Sequence, residues 1–550
     1  RVTVVGFAGD RSEILVDELL IVGNEGDGEL NVNGGARVIS NVAASGSTND
    51  SDTIIGFVDG SQGEVNVSGF GSILRNTNLT VGDEGHGWLS ATGGGRIETF
   101  DEAFIGLNLD STNVVGGIGR VRIADHGSRW DIGDPDGTGD DDLTIGVEGR
   151  GYVEIQLGGW VRVLDNVFIS EDANSYGEVT VENVDSLLWV IEDLFVGTVA
   201  EPTAQAQLTI RDSGTARADE SITIAPNGRV DLHDHGIILT PLLTNSGVIR
   251  GDGRIETTGL FSNLAGGDIR NAALTANLRE QLLVTGPVAN FGRIESIGGE
   301  MEFESAVVNN ADGEIFGLDA ILRFRGPITQ NGSFFIEDTV VESTSPFLNS
   351  ANLSVGAGSS FILGDLDLAS SSELDMILGD IHSQLQVSGS AMLDGTLNVL
   401  LDDGFRPTIG DSFRILTAEE GVSGMFSTED LPEVSGLGFN VVYNFDHVLV
   451  NVTTGPIITG DFNGDGVVDG NDLGFWEQNY GTLTGATQMQ GDANSDGDVD
   501  GLDFLQWQRQ TGGLAPAAAA ATAVPEPTGL ALAFLAACFL AGRSVRPELT

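Results

Sequence analysis

Lysine is absent. All 25 basic residues among the 550 are arginine, and they stand against 81 aspartates and glutamates, a formal net charge of −56. That balance excludes nucleic acid as a partner, since its binding rests on cationic side chains neutralising phosphates, and it disfavours anionic membrane surfaces. It favours solubility at high ionic strength and attraction for divalent cations. Cysteine is nearly absent too. The single copy, Cys538, sits in an apolar tail, so no internal disulfide can form. Aromatic residues are few, yet 40 % of the chain is apolar and alternates regularly with polar residues, which is not the pattern of a disordered acidic chain. The first residue is Arg1 rather than methionine, so the lack of a recognisable signal peptide carries no weight.

What the chain has in abundance is glycine, 78 residues of it, and the glycines punctuate short alternating runs. Leu143–Val163 shows the unit: Leu143-Thr-Ile145, Tyr152-Val-Glu-Ile155 and Trp160-Val-Arg-Val163, separated by Gly146, Gly149, Gly151, Gly158 and Gly159. Alternation puts Leu143, Ile145, Val153 and Ile155 on one face of an extended chain. One such unit cannot bury its own apolar face, and copies of it recur. An apolar-x-apolar-Gly opening appears at Gly23, Gly56, Gly82, Gly106, Gly146 and Gly197. A second run starts at Gly28, Gly63, Gly87, Gly119 and Gly177, and a third follows Gly35, Gly71, Gly95, Gly127, Gly159 and Gly214. A near-constant period of short strands, with no helical pattern between them, predicts a β-helix rather than a leucine-rich or ankyrin array.

These repeats resemble the autotransporter- and PEP-CTERM-associated β-solenoid repeats of bacterial surface proteins. Phe168-Ile-Ser170 and Thr223-Ile-Ala225 depart from the pattern by lacking the glycine. Arg1–Glu13 reads as an incomplete first coil. From Thr244 a looser set of turn-then-strand units follows, at Asn245, Asn290, Asn310 and Asn331, and the closing run through Val448-Leu-Val-Asn-Val452 looks like the end of an autotransporter-type passenger solenoid. The expectation is a mainly β chain: solenoid repeats over 1–243, a second solenoid section with its cap over 244–453, and one elongated parallel β-helix spanning Ile14–Thr453. A cap is required because a last coil otherwise exposes an open strand edge.

Three features of this region invite a ligand, each with a plainer alternative. Asp134-Pro-Asp-Gly-Thr-Gly-Asp-Asp-Asp142 is a corner loop with the ligand type and spacing calcium uses, or a solvated acidic turn. Asp231, His233 and His235 alternate and could share one face as transition-metal ligands, or end a solvated strand. Arg37, Arg96, Arg129, Arg162 and Arg217 each follow a third-run glycine. In register they would form a ladder for an anionic polysaccharide; the plainer account pairs them with neighbouring acids.

After a linker at 454–459 the composition changes. Asp461-Phe-Asn463-Gly-Asp465-Gly466-Val467-Val468-Asp469-Gly-Asn-Asp472 carries oxygen ligands at loop positions 1, 3, 5, 9 and 12, a backbone carbonyl at position 7 (Val467) and glycine at 6. Asp492, Asn494, Asp496, Asp498, Asp500 and Asp503 repeat it around Gly497. Leu473/Trp476 and Phe504/Trp507 follow the two loops in helical segments, with Val468 and Val499 expected to pair between the loops and the tryptophans to pack beneath. The tandem resembles a type I dockerin over 460–512. The resemblance implies two calcium ions, a small α fold, a cohesin-like partner and, often, a polysaccharide-degrading assembly. It departs from the family at loop positions 10 and 11, where Gly470-Asn471 and Gly501-Leu502 stand in place of the usual Ser/Thr recognition residues.

A small-residue linker (513–523) leads to Pro525-Glu526-Pro527, an apolar run Gly529–Gly542 and the basic Arg543 and Arg546. The tail 524–550 resembles a PEP-CTERM sorting signal, which implies processing by an exosortase-type enzyme of a Gram-negative bacterium. As a helix the run spans about 21 Å against a hydrocarbon layer of roughly 30 Å, so it reads as a transient membrane anchor. The whole predicts a secreted, cell-surface or matrix protein, structural or adhesive and not an enzyme, able to meet exopolysaccharide. A polysaccharide lyase or glycosidase carried by the dockerin is the alternative; no lysine is available as a lyase base.

Overall fold

Along each repeat strand the residues alternate between inside and outside, and the inward ones stack on their counterparts one coil away. The computed structural model describes residues 2–6, 12–16, 19–40, 53–108, 117–134, 141–201, 203–272, 281–455, 458–464 and 467–511. The sorting tail with Pro525, Glu526 and Pro527, the C-terminal apolar helix, the 513–523 linker and most of the 134–142 loop lie outside them. The chain divides into two compact units, Arg1–Pro432 with Asn440–Asn451, and Glu433–Phe439 with Val452–Thr550. Among the described residues no helix is long and apolar enough to cross a membrane.

The first unit is a parallel β-solenoid. Strands Asp27–Asn33, Gln62–Ser68, His86–Thr92, Ile118–Ala124, Arg150–Gln156 and Tyr176–Glu182 pair parallel and in register. An inward column that begins at Leu30, Val65, Leu89 and Val121 continues coil by coil through Val230 and Ile249 to Leu374 and Leu397, all buried. Two shorter rows complete each coil, exemplified by Arg129–Ile132 and Leu143–Ile145. The solenoid begins earlier than Ile14: Val2–Val5 already pairs in register with Leu30–Asn33, and Glu13–Val16 with Arg37–Ser40.

Glycine sets the spacing of these rows. Gly28, Gly63, Gly87, Gly119, Gly151 and Gly177 form one column. They press against the glycines that close the third strands: a Cβ on Gly119 would stand 2.0 Å from the Val81 carbonyl oxygen and 2.6 Å from the Gly106 nitrogen. Gly106 itself has φ +74°, the left-handed region that side-chain-bearing residues enter only under strain. Where the sequence substitutes Ser170, the backbone keeps the same turn at φ 63°, and the hydroxyl is bonded to Ser175 Oγ at 2.6 Å.

Outside, the arginines do not form one ladder. Arg37, Arg96 and Arg129 lie in one column with Ile73, whereas Arg162 and Arg217 lie two residues along, in the column of Arg75, Glu98, Asp131 and Trp189. Most are taken up by acids. Asp131 alone holds Arg129 at 2.8 Å, Arg96 at 3.2 Å and Arg162 at 3.5 Å, and Arg217 sits 2.6 Å from Asp219. The register, invisible in spacing because the turns differ in length, is what splits them.

The expected alternation of Asp231, His233 and His235 also fails. Strand Gly228–Thr240 shifts register between Leu232 and Gly236, with Asp234 and His235 at φ 45° and 67°. Asp231 is buried and ion-paired with Arg229 and Arg250, while His235 is exposed, so the three share no face.

Beyond this bend the solenoid is tighter, not looser. The third-row strands step from Val288 to Val307, Ile328, Phe347 and Leu366, so a coil takes about 20 residues. A buried amide ladder replaces the glycine turns at this corner. Asn245, Asn263, Asn290, Asn309 and Gln330 each donate to the next amide oxygen or accept from the previous one, at 2.7–2.9 Å. Remaining amide hydrogens reach turn carbonyls, as from Asn290 to Glu314 O and from Asn309 to Ser333 O, both 3.1 Å. Asn349, in register below Gln330, ends the ladder with its Oδ1 unpartnered. The solenoid is not parallel to its last strand. Parallel pairing runs to Thr428–Asp430, but His447–Asn451 pairs antiparallel with Ser412–Thr417, which covers the edge that a further coil would otherwise need.

Two pairs of substitutions test this packing. Gly119→Ala is expected to destabilise the solenoid by about 3 kcal/mol, whereas Gly26→Ala, whose Cβ meets nothing within 4 Å, leaves it unchanged. Asn290→Ala strips Asn309 Oδ1 of its donor inside the core and is expected to cost about 2 kcal/mol more than Asn349→Ala at the ladder's end. Thermal unfolding followed by β-sheet circular dichroism reads both comparisons.

Candidate metal centre

In the second unit the two acidic loops each run into a ten-residue helix, α1 (Gly470–Asn479) and α2 (Gly501–Gln510). Both helices start with a reciprocal cap. Asp469 accepts from Asn471 N at 2.7 Å while Asp472 accepts from Asp469 N at 2.8 Å; Asp500 and Asp503 repeat this with Leu502 N and Asp500 N. Asp-x-x-Asp ahead of an apolar pair is the sequence signature of such a box, and loop positions 9 and 12 thus carry helix starts as well as candidate ligands.

Asp472 and Asp503 are fully buried. Each reaches back across its loop: Asp472 Oδ1 accepts from Phe462 N at 2.8 Å and Asn463 N at 3.0 Å, and Asp503 Oδ1 from Ala493 N at 2.9 Å and Asn494 N at 3.1 Å. The position-1 acids, Asp461 and Asp492, are buried as well. Asp461 Oδ1 takes Gly464 N, and Asp492 Oδ2 takes Gly497 N, whose φ of +89° makes the expected turn. Asp492 Oδ1 is left buried with no hydrogen-bond partner.

At position 3, Asn494 Oδ1 accepts from Asp496 N at 2.9 Å. Asp498, hydrogen-bonded to the Asp496 carboxylate, is pushed up to about 6 while Asp496 is held below its usual range. Asp465 and Gly466 lie outside the described residues; Val467 is exposed and Val468 buried. Among the described residues no three acids or histidines stand at metal-ligating distance from one another. The donors nevertheless suit a hard cation. They are oxygens only, they carry several carboxylates per loop, and in the second loop they include the buried Asp492 Oδ1, which has no proton donor.

Sequence reasoning misplaced the coupling between the loops. Val499 does not spend its backbone on Val468: its N–H goes to Thr482 O at 2.8 Å and its carbonyl accepts from Gly481 N at 2.9 Å. The loops are braced instead by the indoles. Trp476, on the helix of the first loop, donates Nε1–H to Asp500 O of the second, and Trp507 donates to Asp469 O of the first, both at 2.9 Å. Phe504 lies between them, its ring 5.0 Å from Trp476 and 5.4 Å from Trp507. The start of the unit is clasped to its end, Gln488 Nε2 reaching Ile458 O and Asp461 O, and Gln506 and Gln510 reaching Thr459 Oγ1. No pattern in the sequence announces these crossings, because each joins residues far apart in the chain.

A repeated, cap-closed acidic loop with crossed indole bonds defines a tandem acidic-loop module. Residues 459–510 match the family model of the dockerin type I domain, so the chain carries such a domain at this position. Domains of this family bind calcium and generally bind cohesins. No curated protein matches the chain. Among solved structures it matches the crystal structure of the Haemophilus influenzae Hap adhesin at 11 % identity and a TM-score of 0.24, over 80 % of this chain and 64 % of that one.

Because each indole bonds the carbonyl at position 9 of the opposite loop, Trp507→Phe is expected to weaken calcium binding at the first loop by about fivefold, the value of one hydrogen bond, and Trp476→Phe at the second. Calcium titration by calorimetry, with the other loop disabled by Asp461→Ala or Asp492→Ala, separates the two.

Proposed function

We propose that this is an exported bacterial surface or matrix protein in which the β-solenoid serves as a non-enzymatic structural or adhesive body and the dockerin module fastens it, in the presence of calcium, to a cohesin-like partner. The observation that carries the reading is the module itself, with its family match over 459–510 and its two loops closed by buried carboxylates. Two calcium ions would be held by Asp461, Asn463, Asp465, Asp469, Asp472 and the Val467 carbonyl, and by Asp492, Asn494, Asp496, Asp500, Asp503 and the Asp498 carbonyl. The ions supply charge neutralisation: without them the acids of each loop repel, and a unit of about fifty residues has no disulfide to hold it. Exposed Leu502 and Leu505 on α2, with Gly470 and Asn471 at the matching start of α1, would face the partner, a surface more apolar than the usual Ser/Thr pair. The tail 524–550 is proposed as the sorting signal, cut by an exosortase-type enzyme after delivery, and exopolysaccharide or surface matrix is the expected surrounding.

The isolated segment 455–512 is expected to show helical circular dichroism and buried tryptophan fluorescence only with calcium, and to lose both in chelator; folding that ignores chelator overturns the calcium role. Failure of the full chain to bind any purified type I cohesin with calcium present overturns the docking role. Intact-mass measurement of protein from the cell surface is expected to lack 529–550. Release of unsaturated or reducing sugar ends from bacterial polysaccharides would replace the structural reading with the enzymatic one.

A further inference from the structure

The outer face of the first strand row begins with Glu29 and Glu64 in one column and changes character at the next coil. Trp88, Arg120 and Tyr152 continue that column, while His86, Ile118, Arg150 and Tyr176 form the outward column two residues earlier on the same strands. Arg122 lies two residues beyond Arg120 and so faces the same way. At a strand spacing of roughly 4.8 Å, adjacent coils gather these arginines and aromatic rings within about 15 Å. His86, Trp88, Arg120 and Arg150 are exposed, and Arg122, Tyr152 and Tyr176 half-buried. Elsewhere the solenoid's arginines are mostly taken up by acids, as at Asp131, Asp231 and Glu302. Among the described residues none of Arg120, Arg122 and Arg150 is in an ion pair. Arg120 lies over the Tyr152 ring, 4.3 Å from its centroid, and the Tyr152 ring is 5.5 Å from that of Tyr176. Arg122 Nη2 reaches Gln156 Oε1 at 3.3 Å. The neighbouring acids are engaged by other donors: Glu64 accepts from Asn66 Nδ2 at 2.7 Å, Glu154 from Gln156 Nε2 at 3.3 Å and Glu178 from the Tyr176 hydroxyl at 2.8 Å. A groove of about 530 Å³ opens along Trp88, with Glu29 and Glu64 on one wall and Arg120 on the other.

We propose that this patch binds the carboxylated sugar units of an acidic polysaccharide. The site gives the adhesive reading of the solenoid its ligand, and rests on that reading. A guanidinium held over an aromatic face keeps its N–H edge free, and that edge matches a carboxylate in a two-pronged hydrogen bond. Exposed indole and phenol rings pack against the apolar C–H face of a sugar ring, which a plain acidic peptide does not offer. Over a screening length of about 8 Å at physiological salt, these guanidinium groups act locally against a net charge spread along the whole chain. Glu29 and Glu64 before the patch, and Glu178 after it, would repel a polyanion laid along the stack of coils. The ligand is therefore expected to cross the strands, from the Arg150 column toward Arg122.

The test titrates the full chain, in chelator, with pentagalacturonate, with the neutral maltopentaose and with a pentaglutamate peptide. Chelator takes calcium from the docking loops and from any bridge between carboxylates, so the result is independent of the docking module. Pentagalacturonate is expected to bind, to weaken as salt is raised, and to be preferred over both other probes. Arg120→Gln is expected to weaken it about tenfold, the value of one charged hydrogen-bonded pair, and Trp88→Ala to weaken it as well. Both side chains are exposed, so the unfolding midpoint of the β-sheet signal is expected to stay at the wild-type value. Arg254→Gln, which removes an arginine already held by Glu256 at 2.9 Å, is expected to change nothing. No binding of pentagalacturonate, equal binding of pentaglutamate, or binding untouched by Arg120→Gln and Trp88→Ala overturns the site. If wild type and both variants nevertheless retain the same amount of whole exopolysaccharide, the adhesive reading stands and only this site falls. Release of new reducing ends from bound pentagalacturonate would keep the site and replace the adhesive reading.

Discussion

The in-register hydrogen bonding of each coil to its neighbours is the constraint on which the solenoid depends. A strand such as Arg150–Gln156 has no partner within its own coil; its N–H and carbonyl groups are met by Ile118–Ala124 on one side and Tyr176–Glu182 on the other. Whatever stands at a given place in one coil therefore stands over the same kind of place in the next. That is why an apolar column can run unbroken from Leu30 to Leu397, and why a glycine column can persist where backbones approach too closely for a Cβ. It is also why a single buried asparagine is tolerable: Asn245 is satisfied because Asn263 lies under it, and so on down the ladder.

Stacking makes charge a structural problem as well. Acids that repeat at one site of the coil oppose each other at strand spacing. The chain resolves this with arginine, Asp131 in the second row lying among three guanidinium groups and Asp231 in the first row between two. Half-exposed pairs of this kind add little net stability. What they remove is the repulsion that stacked carboxylates would otherwise impose.

The dockerin module meets a different limit, small size. Its core is a few side chains, Phe462, Val468, Val499 and the ring stack of Trp476, Phe504 and Trp507. Order comes from polar crossings: buried acids that gather loop amides, indoles that tie each helix to the opposite loop, and glutamines that clasp the beginning of the module to its end.

Periodicity made most of the solenoid legible in advance. The alternation of Leu143 with Ile145 and of Val153 with Ile155, and the return of glycine each coil, determine a parallel β-solenoid, because local geometry and burial ask for the same pattern at every repeat. The tandem Asp-x-Asn-x-Asp-Gly loops were likewise readable, since oxygen ligands and the glycine turn lie within one short stretch. What the sequence could not place were contacts whose partners are set by register. Arg162 parted from Arg129 because turns of unequal length shift the columns, and Asp231 parted from His235 because the strand bends at Asp234. The glutamine clasp, the indole crossings and the antiparallel last strand join residues that no local pattern links. Spacing along the chain determines what each coil must be; only stacking, which brings distant residues to one level, decided which side chains meet.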